Sequence, residues 1–182
     1  MDATEGLLER AIDYTLGCLL LADERQLARR TPCRDWDLRT LLAHLNDSLA
    51  ALLEAAGSGS VPMRASEVDS AEVTDPVGCA RERASTLLGA GMPATVWVAD
   101  AAMPAGLVSG TGAVELAVHG WDVASACGYS RPIPGELAER MLRLTPVVVT
   151  GADRPERFAP PVPLPRGAPP GDRLIAFLGR HP

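Results

Sequence analysis

Glu115, His119 and Asp122 are the residues whose types and spacing most clearly predict chemistry. In a helix, Glu115 and His119 lie one turn apart on the same face, with Cβ atoms about 5–6 Å apart. A carboxylate and an imidazole at this spacing can bind one metal ion inside a helical bundle. Asp122, three residues beyond His119, can orient the imidazole through its other ring nitrogen or act as a fourth ligand. The same spacing also suits a solvated ion pair, so a second indication is needed.

Histidine is scarce in this chain, and this scarcity supplies the second indication. Of the three histidines, His181 is next to the C-terminus, whereas His44 and His119 fall inside strongly apolar segments. His44 alone would be interpreted as a hydrogen-bonded core histidine. Two imidazoles and the Glu115 carboxylate facing one interior would offset the cost of their burial by binding a cation. We therefore predict that His44, Glu115 and His119 bind a divalent metal, Zn²⁺ first, with Ni²⁺ and Fe²⁺ as alternatives.

Other residues are weaker candidates. We interpret Arg34, Trp36 and Trp121 as candidates for cofactor binding, with the two tryptophans near the mouth of the metal site. Cys33 precedes a helix start, a position that can activate a thiol, but packing beside Trp36 is the favoured interpretation. The stretch 109–112 (SGTG) lacks the lysine and the preceding strand of a phosphate-binding loop, so it predicts a turn before a helix.

Amphipathic segments must position these side chains. Apolar residues recur at helical spacing over 4–22, 37–56, 76–88, about 110–127, 135–149 and 172–178. Residues 95–98 fit either a short strand or an extended connector, whereas 57–73 and the proline-rich 151–170 indicate loops. Helices with short connections favour an up-and-down four-helix bundle. We predict an all-α single domain over 1–182, with short extra helices and a proline-rich C-terminal tail.

Composition narrows the class of function. Apolar residues make up 47% of the chain and aromatic residues only 4%, which favours packed helices over a β-sandwich. All 17 basic residues are arginine, as is typical of a GC-rich, for example actinobacterial, genome, and lysine-based catalysis is excluded. A net charge of −6 disfavours nucleic-acid binding. The four cysteines form no CxxC pair, and neither a secretory signal nor a membrane-length apolar run is present. We expect a cytoplasmic monomer or homodimer with no membrane partner.

Two motifs resemble those of a known family. Residues 31–45 (TPCRDWDLRTLLAHL) are similar to the TPC-x-x-W-x-x-x-x-L-x-x-H signature of the DinB-like superfamily. Residues 115–128 (ELAVHGWDVASACG) resemble a second signature, found in the branch that contains mycothiol-dependent maleylpyruvate isomerase. Residues 158–182 resemble the tail of the single-domain members of that branch. The resemblance therefore covers nearly the whole chain.

This resemblance implies a four-helix bundle whose metal ligands are His44, Glu115 and His119, the same trio that the spacing indicates. It also implies a low-molecular-weight thiol, such as mycothiol, as co-substrate, held as a thiolate by the metal. If the thiol adds and leaves, a small electrophilic substrate is isomerised; if it stays, the result is transfer. The stretch 96–108 has no arginine to hold a dicarboxylate, which disfavours maleylpyruvate itself as the substrate.

Three classes of function are compatible with these features. The first is a metal- and thiol-dependent transferase or isomerase. The second is a metal-independent tailoring enzyme (an isomerase, cyclase or lyase) that uses the bundle pocket, with Asp122, Glu115 or His119 as its acid or base. The third is a non-catalytic module that binds a small molecule or serves a stress response.

Overall fold

Six α-helices and a small β-sheet make up the fold in the computed structural model, which describes residues 6–33, 35–61, 73–155 and 157–182. The helices are α1 (Leu7–Leu19), α2 (Leu38–Ser58), α3 (Pro76–Leu88), α4 (Ala105–Ala126), α5 (Gly135–Val148) and α6 (Pro170–Phe177). The strands are β1 (Ser60–Val61), β2 (Thr95–Val98) and β3 (Ala101–Pro104). In none of the described helices are length and apolar character sufficient to cross a membrane.

Helices α1 to α4 enclose the main hydrophobic core. The principal contacts run from α1 to α4, from α4 to α2, from α2 to α3 and from α3 back to α1, which closes a ring. The connections 20–37 and 89–104 are long enough to cross this ring, so the helices that they join, α1 with α2 and α3 with α4, need not pack against each other. Leucine and alanine dominate the core, as the low aromatic content requires. The predicted all-α class is confirmed.

Helices α1 and α4 approach each other closely at Gly120. The Thr15 hydroxyl lies 2.8 Å from the carbonyl oxygens of Ala11 and Leu116, so it joins the two helices inside the core. A Cβ atom at Gly120 would lie 3.2 Å from the Cα of Thr15, closer than most side chains tolerate. This contact fixes the position of α4, the helix that carries Glu115 and His119.

Helix α2 has a defined cap at each end. At its N-terminus, the Asp37 carboxylate accepts hydrogen bonds from the Thr40 amide (2.9 Å) and the Thr40 hydroxyl (2.8 Å). At its C-terminus, Gly59 adopts the left-handed conformation, with φ of 69°. The predicted end of this segment at residue 56 is wrong, because Gly57 and Ser58 stay helical and the left-handed residue that ends the helix is Gly59.

The Asp37 cap gives a prediction about stability and its pH dependence. Hydrogen bonds from the backbone and the side chain of Thr40 lower the pKa of Asp37. This stabilisation is therefore present above the unfolded pKa of about 3.9 and is lost as the pH falls through the folded value. We expect Asp37→Ala to lower the free energy of unfolding by about 1 kcal/mol at neutral pH in urea titrations. The Asp37→Asn variant keeps a cap without the charge, and should lose less stability than the native chain between pH 6 and pH 3. Equal losses would contradict this role.

The start of α4 differs from the sequence prediction. The helix begins at Ala105, not near residues 110–113, so the stretch 109–112 lies inside it and the predicted turn there is wrong. A Cβ at Gly112 would lie 2.6 Å from a methyl group of Leu52, so this glycine allows α2 and α4 to pack closely. Tertiary packing thus outweighs the low helix propensity of glycine.

The remaining connectors form a small sheet. Residues 95–98, for which the sequence left two alternatives, form strand β2, which pairs antiparallel with β3 and parallel with β1. Only Val96 of β2 is fully buried. The sheet therefore adds a minor element to the helical fold.

The C-terminal tail packs against the bundle. Helix α5 contacts α4 and α6, and α6 contributes Leu174 and Ile175 to the core. The last helix was predicted over 172–178, close to the observed α6. Helix α6 begins two residues earlier, because prolines 169 and 170 suit a helix start. The preceding tail is mainly irregular, with one 3₁₀ turn at Gly151–Asp153.

Candidate metal centre

The predicted trio meets where α2 faces α4. His44 lies on α2, and Glu115 and His119 lie one turn apart on α4. The Oε1 atom of Glu115 is 2.6 Å from Nε2 of His44 and 3.3 Å from Nε2 of His119. The three ligand atoms all lie within 4.8 Å of one another. The fold therefore brings together two imidazoles and one carboxylate that are separated by up to 75 residues in the chain.

This donor set fits a divalent cation. Two atoms that each lie about 2.1 Å from a tetrahedral zinc ion are about 3.4 Å apart. The 3.3 Å between Glu115 and His119 is close to this value, whereas the 2.6 Å between Glu115 and His44 is that of a hydrogen bond, which an ion between them would replace. The side chain of His119 is 8% exposed, whereas those of Glu115 and His44 are 29% and 40% exposed. The site is therefore buried on the side of His119 and accessible from solvent on the side of His44.

Asp122 orients the His119 ring. Its Oδ2 atom lies 3.0 Å from Nδ1 of His119, and its side chain is completely buried. An ionised carboxylate can only accept a hydrogen bond, so Nδ1 of His119 is the donor and Nε2 is directed towards Glu115. A carboxylate behind a histidine in this way fixes the ring and strengthens the other nitrogen as a ligand.

Asp122 is in turn bound by Arg180 from the C-terminal segment. Nε of Arg180 lies 2.9 Å from Oδ1 and Nη2 lies 2.8 Å from Oδ2, a bidentate pair. The same Nη2 donates to the Sγ atom of Cys33 at 3.0 Å. Cys33, His119 and Asp122 thus also form a group with ligand-type atoms. A guanidinium already supplies the positive charge there, which disfavours a second cation at that position.

Ser48 and Trp36 complete the immediate surroundings. The Ser48 hydroxyl donates to Oε1 of Glu115 at 3.0 Å. The ring of Trp36 is centred 5.0 Å from that of His44 and 6.3 Å from that of His119, so it contacts both.

Trp121 is partly buried and packs against the hydrophobic core. Arg34 lies outside the described residues.

Opposite charges stabilise each other in this site. Burial alone would raise the pKa of Glu115, but the attraction of His119 and the hydrogen bonds from both histidines hold it well below its usual range. For His119, burial acts to lower the pKa, and the attraction of Glu115 together with the hydrogen bond to Asp122 raises it well above its usual range. Arg180 outweighs the effect of burial on Asp122 and lowers the pKa of that carboxyl. Both carboxylates are therefore ionised at neutral pH.

The sequence did not identify every residue of this site. Ser48 had a usable signal, because it lies one turn after His44 on the same helix face. Cys33 does pack against the core near Trp36, as expected, but it also contacts Arg180. Arg180 had no such signal, since its contact with Asp122 joins distant parts of the chain.

The helical bundle carries this candidate site at the contact between α2 and α4. The family model described as the mycothiol maleylpyruvate isomerase N-terminal domain matches residues 8–124. The chain is also similar to uncharacterized proteins from two strains of Mycobacterium tuberculosis, CDC 1551 / Oshkosh and ATCC 25618 / H37Rv. Each is 30% identical over 183 residues, which cover 94% of this chain and 94% of the relative. No solved structure gives a significant match.

The chain belongs to the mycothiol maleylpyruvate isomerase N-terminal domain family, within the DinB-like superfamily. The match spans α2 and most of α4, so it includes the segments that carry His44, Glu115 and His119. It ends before α6, the helix that precedes Arg180.

Proposed function

We propose that this protein is a divalent-metal-dependent enzyme that uses a low-molecular-weight thiol of the mycothiol type. It would transfer the thiol to a small electrophilic substrate, or isomerise the substrate by adding and releasing the thiol. The observation that carries the proposal is the convergence of His44, Glu115 and His119, with their ligand atoms within 4.8 Å of one another. Family membership supports the choice of thiol.

In this proposal, His44, Glu115 and His119 hold the metal, with Zn²⁺ the first choice and Ni²⁺ or Fe²⁺ the alternatives. When bound, such an ion would supply Lewis-acid chemistry that favours the thiolate form of a thiol at neutral pH. Three protein ligands leave coordination positions open, which is characteristic of a catalytic rather than a structural site.

The surrounding side chains have defined roles in the proposal. Asp122 keeps the proton of His119 on Nδ1, which leaves Nε2 as the ligand atom. Ser48 holds the Glu115 carboxylate through its hydroxyl. Trp36 forms an apolar wall beside both histidines, and the exposed side of His44 is where a thiol and a substrate would enter. Trp121 and Arg34 remain candidates for holding the thiol.

The proposal predicts activity that depends on both metal and thiol. Protein produced in zinc- and nickel-supplemented medium should carry about one metal ion per chain by elemental mass spectrometry. Incubated with mycothiol and a panel of small electrophiles, it should form a conjugate or an isomer that the same mixture without protein forms far more slowly. Glutathione in place of mycothiol tests whether the thiol is specific.

The controls separate this function from its alternatives. A chelator should remove the activity, and added zinc should restore it. Metal-free protein with an intact fold would overturn the proposal. Activity that survives the chelator but is lost in His119→Ala would instead indicate a metal-independent acid–base enzyme. Tight binding of a small molecule without turnover would indicate a binding module.

A further inference from the structure

Arg180 is a buried cation at the end of the C-terminal segment. The residue is 8% exposed, although it lies only two positions from the C-terminus of the chain. Its Nε and Nη2 atoms bind the two carboxylate oxygens of Asp122, Nη2 also donates to Cys33, and Nη1 donates to the carbonyl of Leu178 at 3.2 Å. All three guanidinium nitrogens are thus engaged within the protein, so Arg180 is not placed to bind a substrate.

The local fold directs Arg180 into the bundle. Leu174, Ile175 and Leu178 are at most 2% exposed, so apolar contacts anchor the segment without Arg180. Gly179 then adopts a left-handed conformation with φ of 81°, and a Cβ there would lie 2.5 Å from the carbonyl oxygen of Ala159. Only glycine suits this backbone position. The turn places Arg180 against Asp122 on α4.

A continuous series of hydrogen bonds and ion pairs runs from the C-terminal segment to the proposed metal ligand His119. Arg180 binds Asp122, Asp122 binds Nδ1 of His119, and Nε2 of His119 faces Glu115. A planar guanidinium bound in bidentate fashion holds a carboxylate in one orientation, which an ammonium cannot do. The orientation of Asp122, and through it that of the His119 ring, therefore depends on Arg180.

We infer that Arg180 is a positioning residue of the metal centre and that the C-terminal segment completes the site. This inference rests on the proposed metal binding. It goes further in assigning a function to a part of the chain that lies beyond the family match at residues 8–124. Metal affinity should consequently depend on an arginine that does not touch the metal.

The test compares Arg180→Met and Arg180→Lys with a matched control, Arg173→Met. Arg173 is an exposed arginine of α6, so the control makes the same chemical change in the same segment. Affinities for Zn²⁺ and Co²⁺ are measured by competition with a chromophoric chelator, and the visible spectrum of the cobalt-loaded protein reports ligand geometry. We expect Arg180→Met to weaken binding by about tenfold or more and to alter the cobalt spectrum, because loss of a residue that holds a metal ligand in place typically changes affinity about 10–100-fold. Arg180→Lys should restore part of the affinity, and Arg173→Met should match the native chain.

A purely structural role would give a different result. In that case Arg180→Met would lower the melting temperature but leave the affinity and the cobalt spectrum of the folded protein unchanged, which would overturn the inference. Should the single variant fail to fold, the double variant Asp122→Asn/Arg180→Met leaves no unpaired buried charge. If Arg180 acts through Asp122, the double variant should bind metal as weakly as Asp122→Asn alone. An additional, fully additive loss would contradict that route.

The two proposals can fail separately. If the native protein binds metal and Arg180→Met binds it equally well, the inference is wrong and the proposed function stands. If the native protein binds no metal, the proposed function fails, and the positioning role is then decided by ¹H–¹⁵N spectra of the metal-free protein. The resonance of the hydrogen-bonded Nδ1 proton of His119 should shift or broaden in Arg180→Met, because Asp122 is no longer held in one orientation. A resonance identical to that of the native chain would overturn the inference.

Discussion

The His119→Ala variant should lose at least about a hundredfold in zinc affinity. Loss of a residue that only holds a ligand in place costs about 10–100-fold in metal affinity. His119 is itself a proposed ligand, held in place by Asp122. Its side chain is also the most buried of the trio, so water can replace the imidazole only in a poorly accessible position. Competition with a chromophoric chelator measures the affinity, and circular dichroism establishes that the bundle is intact.

A matched control exists within the same chain. His181 is exposed and lies outside the site, so His181→Ala removes an imidazole without touching the trio. We expect its zinc affinity to equal that of the native protein, and His44→Ala to resemble His119→Ala. If His181→Ala weakened zinc binding as much as His119→Ala did, the trio would not be the metal site.

The Asp122→Ala variant should be the most destabilising single substitution in the site. It leaves the guanidinium of Arg180 buried without its carboxylate, and it also leaves Nδ1 of His119 without its acceptor. Removing one member of a buried ion pair typically costs about 3–5 kcal/mol, because the remaining charge has lost its compensation. We expect a loss of this size in the free energy of unfolding at neutral pH, measured by urea titration of the metal-free protein.

Two further substitutions serve as comparisons for the unfolding measurement on Asp122→Ala. Asp13 is an exposed residue of α1, and Asp13→Ala should change the free energy of unfolding by no more than about 0.5 kcal/mol. Asp122→Asn keeps an oxygen that can accept a hydrogen bond, so its loss should fall between those of the two alanine variants. A loss below about 1 kcal/mol for Asp122→Ala would show that the contacts with Arg180 and His119 contribute little to stability.

Much of the fold could be predicted from the sequence, because local signals and tertiary packing agree over most helices. The spacing of leucines along α2 and the proline and aspartate at the start of α3 are local features, and both helices lie close to where they were expected. Helix α4 is the exception. It contains Gly112, which local propensity disfavours in a helix but which close packing against Leu52 of α2 retains inside it.

The candidate site also combines residues that local sequence patterns predict with residues that they do not. Glu115 and His119 are neighbours on one helix, and Asp122 follows at helical spacing, so their proximity could be predicted from local geometry. The approach of His44 could be argued only from the scarcity of histidine and from family resemblance. Arg180 could not be predicted, because a long irregular segment separates it from α4 and no periodic pattern fixes where that segment ends.

We propose that one divalent metal is bound by His44, Glu115 and His119. Anomalous X-ray diffraction from zinc-loaded crystals, recorded at the zinc absorption edge, tests it most directly. We predict a single strong peak within about 2.0–2.2 Å of a nitrogen of each histidine and an oxygen of Glu115. A folded protein with no peak among these three side chains, or with its strongest peak elsewhere, would contradict it.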